Sequence, residues 1–169
     1  MIITFTANPS IDATMCIDSL DPGGVLRVSE SSREPGGKGI NVSNAVLKAG
    51  QDILAIAPAA DNDPFTALAR SAGIPLRTVP ADGAVRTNTT VTESSGRTTK
   101  LNEPGTTLTD DVRRTLETEL VDAASHPLTR AAVLAGSLPP GAPADWYPQL
   151  VEALRDAAPD LLILSLIHI

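Results

Sequence analysis

Chemistry-bearing residues gather in a few short stretches. The densest is Pro35-Gly36-Gly37-Lys38-Gly39-Ile40-Asn41, where glycines surround a single lysine and a helical pattern starts at once. Glycine reaches backbone angles that a Cβ forbids and lets a ligand approach the main chain. Free N–H groups at a helix start, with the helix dipole, attract anions. Lys38 adds a point charge there. This chemistry fits an anion or sugar-phosphate pocket where a loop meets a helix; a tight turn capping a core helix accounts for the same glycines. The stretch is neither a Walker loop, which needs Gly-Lys-Ser/Thr at the right spacing, nor Gly-x-Gly-x-x-Gly, because Val42 stands where the third glycine belongs.

Asp12 follows the turn Asn8-Pro9-Ser10, just past an apolar run. An acidic residue beyond a strand end of an open α/β sheet is placed to accept from ligand hydroxyls; a solvated turn aspartate is the plainer reading. Gly136-Ser137-Leu138-Pro139-Pro140-Gly141 leaves another apolar run and sets a hydroxyl at the same edge. Ser137 is not a serine nucleophile, since the Gly-x-Ser-x-Gly elbow is absent. Arg86, Asn88, Lys100, Asn102 and Glu103 are the polar side chains of a threonine-rich hairpin. Surface solvation explains most such residues, yet Arg86 and Lys100 near its two ends are spaced to reach one phosphate.

The elements that must position these groups follow from periodicity. Ile2–Ala7, Asp52–Ala57, Leu76–Val79, Ala131–Ala135 and a run starting at Leu161 read as buried strands. Asn41–Ala49, Pro64–Ala72, Thr109–Ala124 and Trp146–Ala157 read as helices. Gly50 and Gly73 stand where helices stop. Thr109 is a cap, and Asp110 and Asp111 suit the positive helix end. Trp146, Leu150 and Leu154 are spaced as core. Within 13–35, Thr14–Ile17 and Val25–Ser29 read as strands of a small antiparallel flap around Asp21-Pro22-Gly23-Gly24. Val85–Thr92 and Arg97–Asn102 flank the turn Glu93–Gly96; threonine on both faces leaves neither deeply buried, which suits a lid or edge ribbon. Strand–helix alternation predicts a doubly wound α/β sheet.

Composition narrows the partners. The chain has 169 residues, 42% of them apolar, and a net charge of −7. That length supports one domain with a real core, and the acidic balance argues against a nucleic-acid or anionic-membrane binder. An anionic ligand would then need local cations, for which Lys38, Arg86 and Lys100 are the candidates. Cys16 is the single cysteine, so no internal disulfide and no cysteine-based zinc site is expected. His126 and His168 are far from it in sequence, and a cytoplasmic setting fits. The N-terminus lacks the basic start of a signal peptide, and Leu161–Ile169 is too short to span a bilayer.

Asn8-Pro9-x-x-Asp12, Pro35-Gly-Gly-Lys-Gly-Ile-Asn41, Arg86-Thr-Asn88, Lys100-Leu-Asn-Glu-Pro-Gly105 and Gly136-Ser-Leu-Pro-Pro-Gly141 occur in this order. Together they resemble the PfkB-type (ribokinase-like) sugar kinases, in particular the 1-phosphofructokinase and tagatose-6-phosphate kinase branch. The resemblance runs from residue 1 to about residue 163. It implies a ribokinase-like α/β/α sheet with a small β-lid built from about 13–35 and 85–103. It implies transfer of the ATP γ-phosphoryl group, with Mg²⁺, to a sugar phosphate such as fructose 1-phosphate. Asp12 would hold sugar hydroxyls. Gly37, Lys38, Gly39 and Asn41 would line the sugar pocket. Arg86, Lys100 and Ser137 would engage the substrate's phosphate or its neighbourhood, and the lid would make a homodimer contact.

The family's catalytic base, an aspartate in a Gly-Ala-Gly-Asp segment, has no counterpart in these residues, and no metal ligand can be assigned. Gly105-Thr106 stands where these kinases often have Gly-Pro, and Ala59–Asp63 replaces a more glycine-rich turn. Leu164–Ile169 resembles translated sequencing-adapter sequence, so native sequence is expected to end near Ile163, leaving the N-terminal part of one kinase domain. A non-catalytic sugar-phosphate-binding module and a purely structural α/β domain are the competing expectations.

Overall fold

The computed structural model describes residues 1–167. Its elements run β1 (Ile2–Phe5), β2 (Ser10–Ile17), β3 (Glu30–Gly36), α1 (Lys38–Lys48), β4 (Ile53–Pro58), α2 (Pro64–Ser71), β5 (Leu76–Val79), β6 (Arg86–Glu93), β7 (Thr98–Asn102), α3 (Asp110–Ala124), β8 (Ala131–Gly136), α4 (Trp146–Ala157) and β9 (Leu162–Ile167). The main sheet is parallel, in the order β5-β4-β1-β8-β9.

Side chains alternate across each strand, so the two faces bury separate cores. On one face Ile3, Phe5, Ile56, Ala132 and Leu134 pack against Leu116 and Leu120 of α3 and Trp146, Leu150 and Leu154 of α4. Phe5 meets Trp146 edge-on, with ring centroids 5.5 Å apart. On the other face Ala55 and Ala57 pack with Ile40 of α1 and Phe65 of α2. Helices on both faces make the sheet doubly wound, as the strand–helix alternation predicts. Trp146 is 1% exposed and belongs to the core.

A second sheet, β3-β2-β6-β7, stands over one end of the first. It is the lid, and it differs from the expected flap in three ways. The strand expected at Val25–Ser29 is absent; Val25 is 99% exposed, and the strand lies instead at Glu30–Gly36. Pro35 is tolerated because β3 is an edge strand, where a missing N–H breaks no ladder. Asp12 is not past a strand end but inside β2. The lid is also not wholly antiparallel, because β2 and β6 pair in parallel, Ser10 with Arg86 and Asp12 with Asn88. Residues 164–167 continue β9, while 168 and 169 lie outside the described residues.

Two local devices lead to predictions. Thr109 caps α3, accepting from the Val112 N–H at 3.3 Å. Thr109→Ala should lower unfolding free energy by about 1 kcal/mol in a urea titration. At the lid tip the buried Glu93 carboxylate accepts from the Arg97 guanidinium and from the Leu20 N–H at 3.0 Å. The Arg97 hydrogen bonds, then the Leu20 N–H, hold its pKa below the ordinary carboxylate value. A depressed folded pKa contributes stability above the unfolded value and loses it as pH falls through the folded one. Wild type should therefore be more stable than Glu93→Gln at neutral pH, with the difference shrinking on acidification below the usual glutamate range. Parallel denaturation curves at each pH check this.

Candidate functional site: a cleft under the lid

The chain passes between sheet and lid at four places: Asn8-Pro9, Gly36-Gly37, Val85-Arg86 and Glu103–Gly105. These crossings and the C-terminal ends of β1 and β8 enclose a cleft of about 430 Å³. Asn8, Ser10, Asp12, Gly37, Lys38, Asn41, Arg86, Asn88, Asn102, Gly136 and Ser137 line it.

Glycines make its floor. Gly37 has φ 106° and is the N-cap of α1, with no side chain capping the helix. A Cβ on Gly37 would stand 2.7 Å from the Thr6 methyl group and 3.3 Å from Pro9 Cα. Glycine is therefore required for both its angle and its contact. The uncapped first turn leaves backbone N–H groups for a ligand. Gly136 has φ 116°, and the space above it is bounded by Lys38, whose N and Cβ lie 3.9 Å from where its Cβ would be. The two loops thus meet at Lys38. Helix α1 starts at Lys38 rather than at Asn41, which puts Lys38 in its first turn.

The lid supplies the wall. Asp12 Oδ1 accepts from Ser10 Oγ at 2.8 Å and from Asn88 Nδ2 at 3.3 Å. Among the described residues both donors use Oδ1, leaving Oδ2 for a ligand hydroxyl. Gly36 lies beneath this carboxylate, and any Cβ there would collide with it. Asn88 and Asn102 face each other across β6 and β7. Arg86 donates from Nη1 to Glu103 O at 2.9 Å, from Nε to Pro9 O at 3.3 Å and from Nη2 to Asn8 O at 3.3 Å. Burial lowers its pKa, opposed by Asp12 and Glu103. Asn8 Nδ2 donates to Pro104 O at 3.0 Å and lies 3.4 Å from Ser137 Oγ. Under the floor, burial pushes the Tyr147 phenol up to about 12, so it stays neutral.

Of the residues singled out from sequence, Asp12, Gly37, Lys38, Asn41, Arg86 and Ser137 line the cleft. Gly39 does not line it; it is buried against β1, beside Thr6 Oγ1 and Phe5 O. Lys100 is not among the lining residues. It pairs with Thr90, one side-chain repeat beyond Asn102 on the same face, about 7 Å farther along the strand. Asn8, Ser10, Asn88, Asn102 and Gly136 also line the cleft and carry no site role in the sequence reading. Period-two alternation from Arg86 through Asn88 was the available signal for one of them. The cleft's Lys38 and Arg86 outweigh Asp12 in charge, in a chain whose net charge is −7. Hydroxyl acceptors, cations and free N–H groups around one cleft suit a polyol that carries an anionic group.

Among the described residues no three His, Cys, Asp or Glu side chains gather as a metal site. No helix among them is long and apolar enough to cross a membrane.

Comparison with known proteins points the same way. The chain is 35% identical over 167 residues to an ATP-dependent 6-phosphofructokinase isozyme 2 of Mycobacterium tuberculosis, covering 96% of this chain and 48% of that protein. It is 38% identical over 164 residues to a 1-phosphofructokinase of Xanthomonas campestris pv. campestris, covering 92% and 49%. The chain spans about half the length of the curated relatives it matches. The crystal structure of phosphofructokinase-2 from Escherichia coli in complex with fructose-6-phosphate superposes with a TM-score of 0.87 at 32% identity, over 97% of this chain and 54% of that one. The sequence profile of the pfkB family carbohydrate kinases matches residues 6–166. With the doubly wound sheet, the lid and the cleft between them, this establishes that the chain belongs to the pfkB family of carbohydrate kinases.

Proposed function

We propose that this chain is the sugar-phosphate-binding part of an ATP-dependent sugar-phosphate kinase, with fructose 1-phosphate as acceptor and fructose 1,6-bisphosphate as product. The observation that carries the reading is the convergence of Asp12, Lys38, Asn41, Arg86 and Ser137 on one cleft. In this reading Asp12 Oδ2 accepts from a sugar hydroxyl. Lys38, Arg86, Ser137 and the first turn of α1 hold the phosphate the substrate already carries. Phosphoryl transfer demands mainly positioning and charge neutralisation, and these residues supply both for the acceptor. The base that takes the hydroxyl proton, and most of the ATP site, lie outside these residues. Bound ATP with Mg²⁺ would supply the phosphoryl group and neutralise its developing charge.

A relative named for 6-phosphofructokinase activity supports a second reading, fructose 6-phosphate as acceptor; tagatose 6-phosphate is a third. Calorimetry of this chain with all three esters separates them. The tightest binding should be to fructose 1-phosphate, and a preference for either other ester would replace it. With ATP and Mg²⁺ present, this chain alone should bind without turnover. Turnover would contradict a base lying elsewhere, and it would also exclude the non-catalytic module.

Homodimerisation through the lid belongs to the same proposal, as does a cytoplasmic setting. Exposed large apolar side chains sit on the lid segments, namely Val25, Leu26, Val28 and Leu101. Burying such a patch is a usual reason for association. Leu101→Lys with Val25→Asp should convert a dimer to monomer in analytical ultracentrifugation; an unchanged sedimentation coefficient would remove the lid from the interface.

A further inference from the structure

Asn8 stands on the path from β1 into β2 and is 6% exposed. Its Nδ2 faces three acceptors: Pro104 O at 3.0 Å, Ser137 Oγ at 3.4 Å and Leu138 O at 3.5 Å. Two of these are main-chain carbonyls, which only accept. An amide turned the other way would set Oδ1 against both carbonyls, so its orientation is fixed. Gly105, with φ 100°, makes room for Oδ1; any Cβ there would collide with it. The buried amide therefore bridges the return from β7 and the loop after β8.

That bridge decides which way Ser137 can donate. A serine hydroxyl has one hydrogen and two lone pairs, whereas an amide nitrogen has hydrogens alone to offer. Toward Asn8, then, Ser137 Oγ accepts, and its own hydrogen points away. Among the described residues Ser137 donates to no protein group, and it is exposed on the cleft. At 3.4 Å the bond is long, so what it contributes is direction more than strength.

We infer that Asn8 is a positioning residue that presents Ser137 to the cleft as a hydrogen-bond donor. The ligand group that Ser137 takes is then an acceptor oxygen, and an anionic phosphate oxygen makes the strongest such bond. A hydroxyl that accepts while it donates is the better donor, so the two bonds support each other. Asp12 makes the opposite demand, because its free Oδ2 accepts from ligand hydroxyls. Ser137 and Asp12 thus ask for different groups of one ligand. This inference rests on the sugar-phosphate reading above. It adds which ligand group Ser137 reads and which residue aims it.

The test is a double-mutant cycle on this chain, read by calorimetry with fructose 1-phosphate and, separately, inorganic phosphate. Asn8→Ala should weaken binding of both about threefold to tenfold. In a Ser137→Ala background the same substitution should change affinity less than about twofold. Equal losses in the two backgrounds would overturn the inference and leave the sugar-phosphate reading standing, since a merely structural loss does not depend on the Ser137 hydroxyl. Wild type binding neither ligand would overturn both. The Asn8 side-chain amide gives a second readout that needs no substitution at Asn8. Saturating wild type with inorganic phosphate should move one Nδ2–H resonance downfield. In Ser137→Ala, which alters only an exposed side chain, it should stay in place. A resonance fixed in wild type, or moving alike in both proteins, contradicts the positioning of Ser137 by Asn8.

Discussion

Lys38→Ala is expected to weaken binding of fructose 1-phosphate to this chain about 10- to 100-fold, the loss of one charge-assisted hydrogen bond of about 1.5–3 kcal/mol. Lys38 is exposed and sits in the first turn of α1, where alanine is a good helix former, so the fold should survive. The effect should fall on the sugar ester and much less on nucleotide binding, because Lys38 faces the cleft shared with Asp12, Asn41 and Ser137. Isothermal titration with each ligand reads the difference. Equal loss for both ligands would place Lys38 outside the acceptor site.

The largest stability effect is expected at Gly39. A Cβ there would lie 2.8 Å from Phe5 O and 3.1 Å from Phe5 C, and closer still to Thr6 Oγ1. Two of these neighbours are backbone atoms of the central strand, so they cannot swing aside. The helix is also fixed from below, since Ser43 Oγ lies 2.6 Å from Thr4 Oγ1 and donates to Gly39 O at 3.0 Å. Overpacking against backbone costs about 3 kcal/mol. Gly39→Ala should lower the unfolding free energy by that amount in urea. It should also weaken sugar-phosphate binding indirectly, by lifting the N-terminus of α1 from β1. A stability change below about 0.5 kcal/mol would mean the helix shifts freely, and that the close approach does not matter. Gly37→Ala offers a contrast, because its cost combines a positive φ with contact on the lid side.

The layered sheet was legible because its signals are local. The stripe on α3, the capping threonine at 109 and the short apolar strands each carry their own pattern, and Leu116 and Leu120 are fully buried as that stripe requires. The lid was half legible. Its threonine-rich hairpin announced itself, but β2 pairs with β6 from more than seventy residues away, and no local pattern encodes that register. That is why the local pattern puts Asp12 just past a strand end rather than inside β2, and a strand at Val25–Ser29 rather than at Glu30–Gly36. Glycines and ionisable groups of the cleft stood out by type. Their partners did not: nothing in Arg86-Thr87-Asn88 tells that the guanidinium reaches three main-chain carbonyls, or that Asn88 steadies Asp12. Lys100 shows the same limit, since its face was readable but its distance along the strand from the cleft was not.

Exposed leucines on β9 bear on how the chain behaves in isolation. Leu162, Leu164 and Leu166 share one face of the outermost strand of the main sheet and are 61%, 47% and 55% exposed. Relatives are about twice as long, and an apolar edge of this kind favours association when left uncovered.

The most direct measurement is a titration of isotope-labelled chain with fructose 1-phosphate, followed by amide and side-chain chemical shifts. Perturbations should concentrate at Asp12, Gly37, Lys38, Asn41, Asn88 and Ser137 and saturate together with one dissociation constant. Saturable shifts confined to surfaces away from these residues, or none at millimolar ester, would contradict a sugar-phosphate site under the lid.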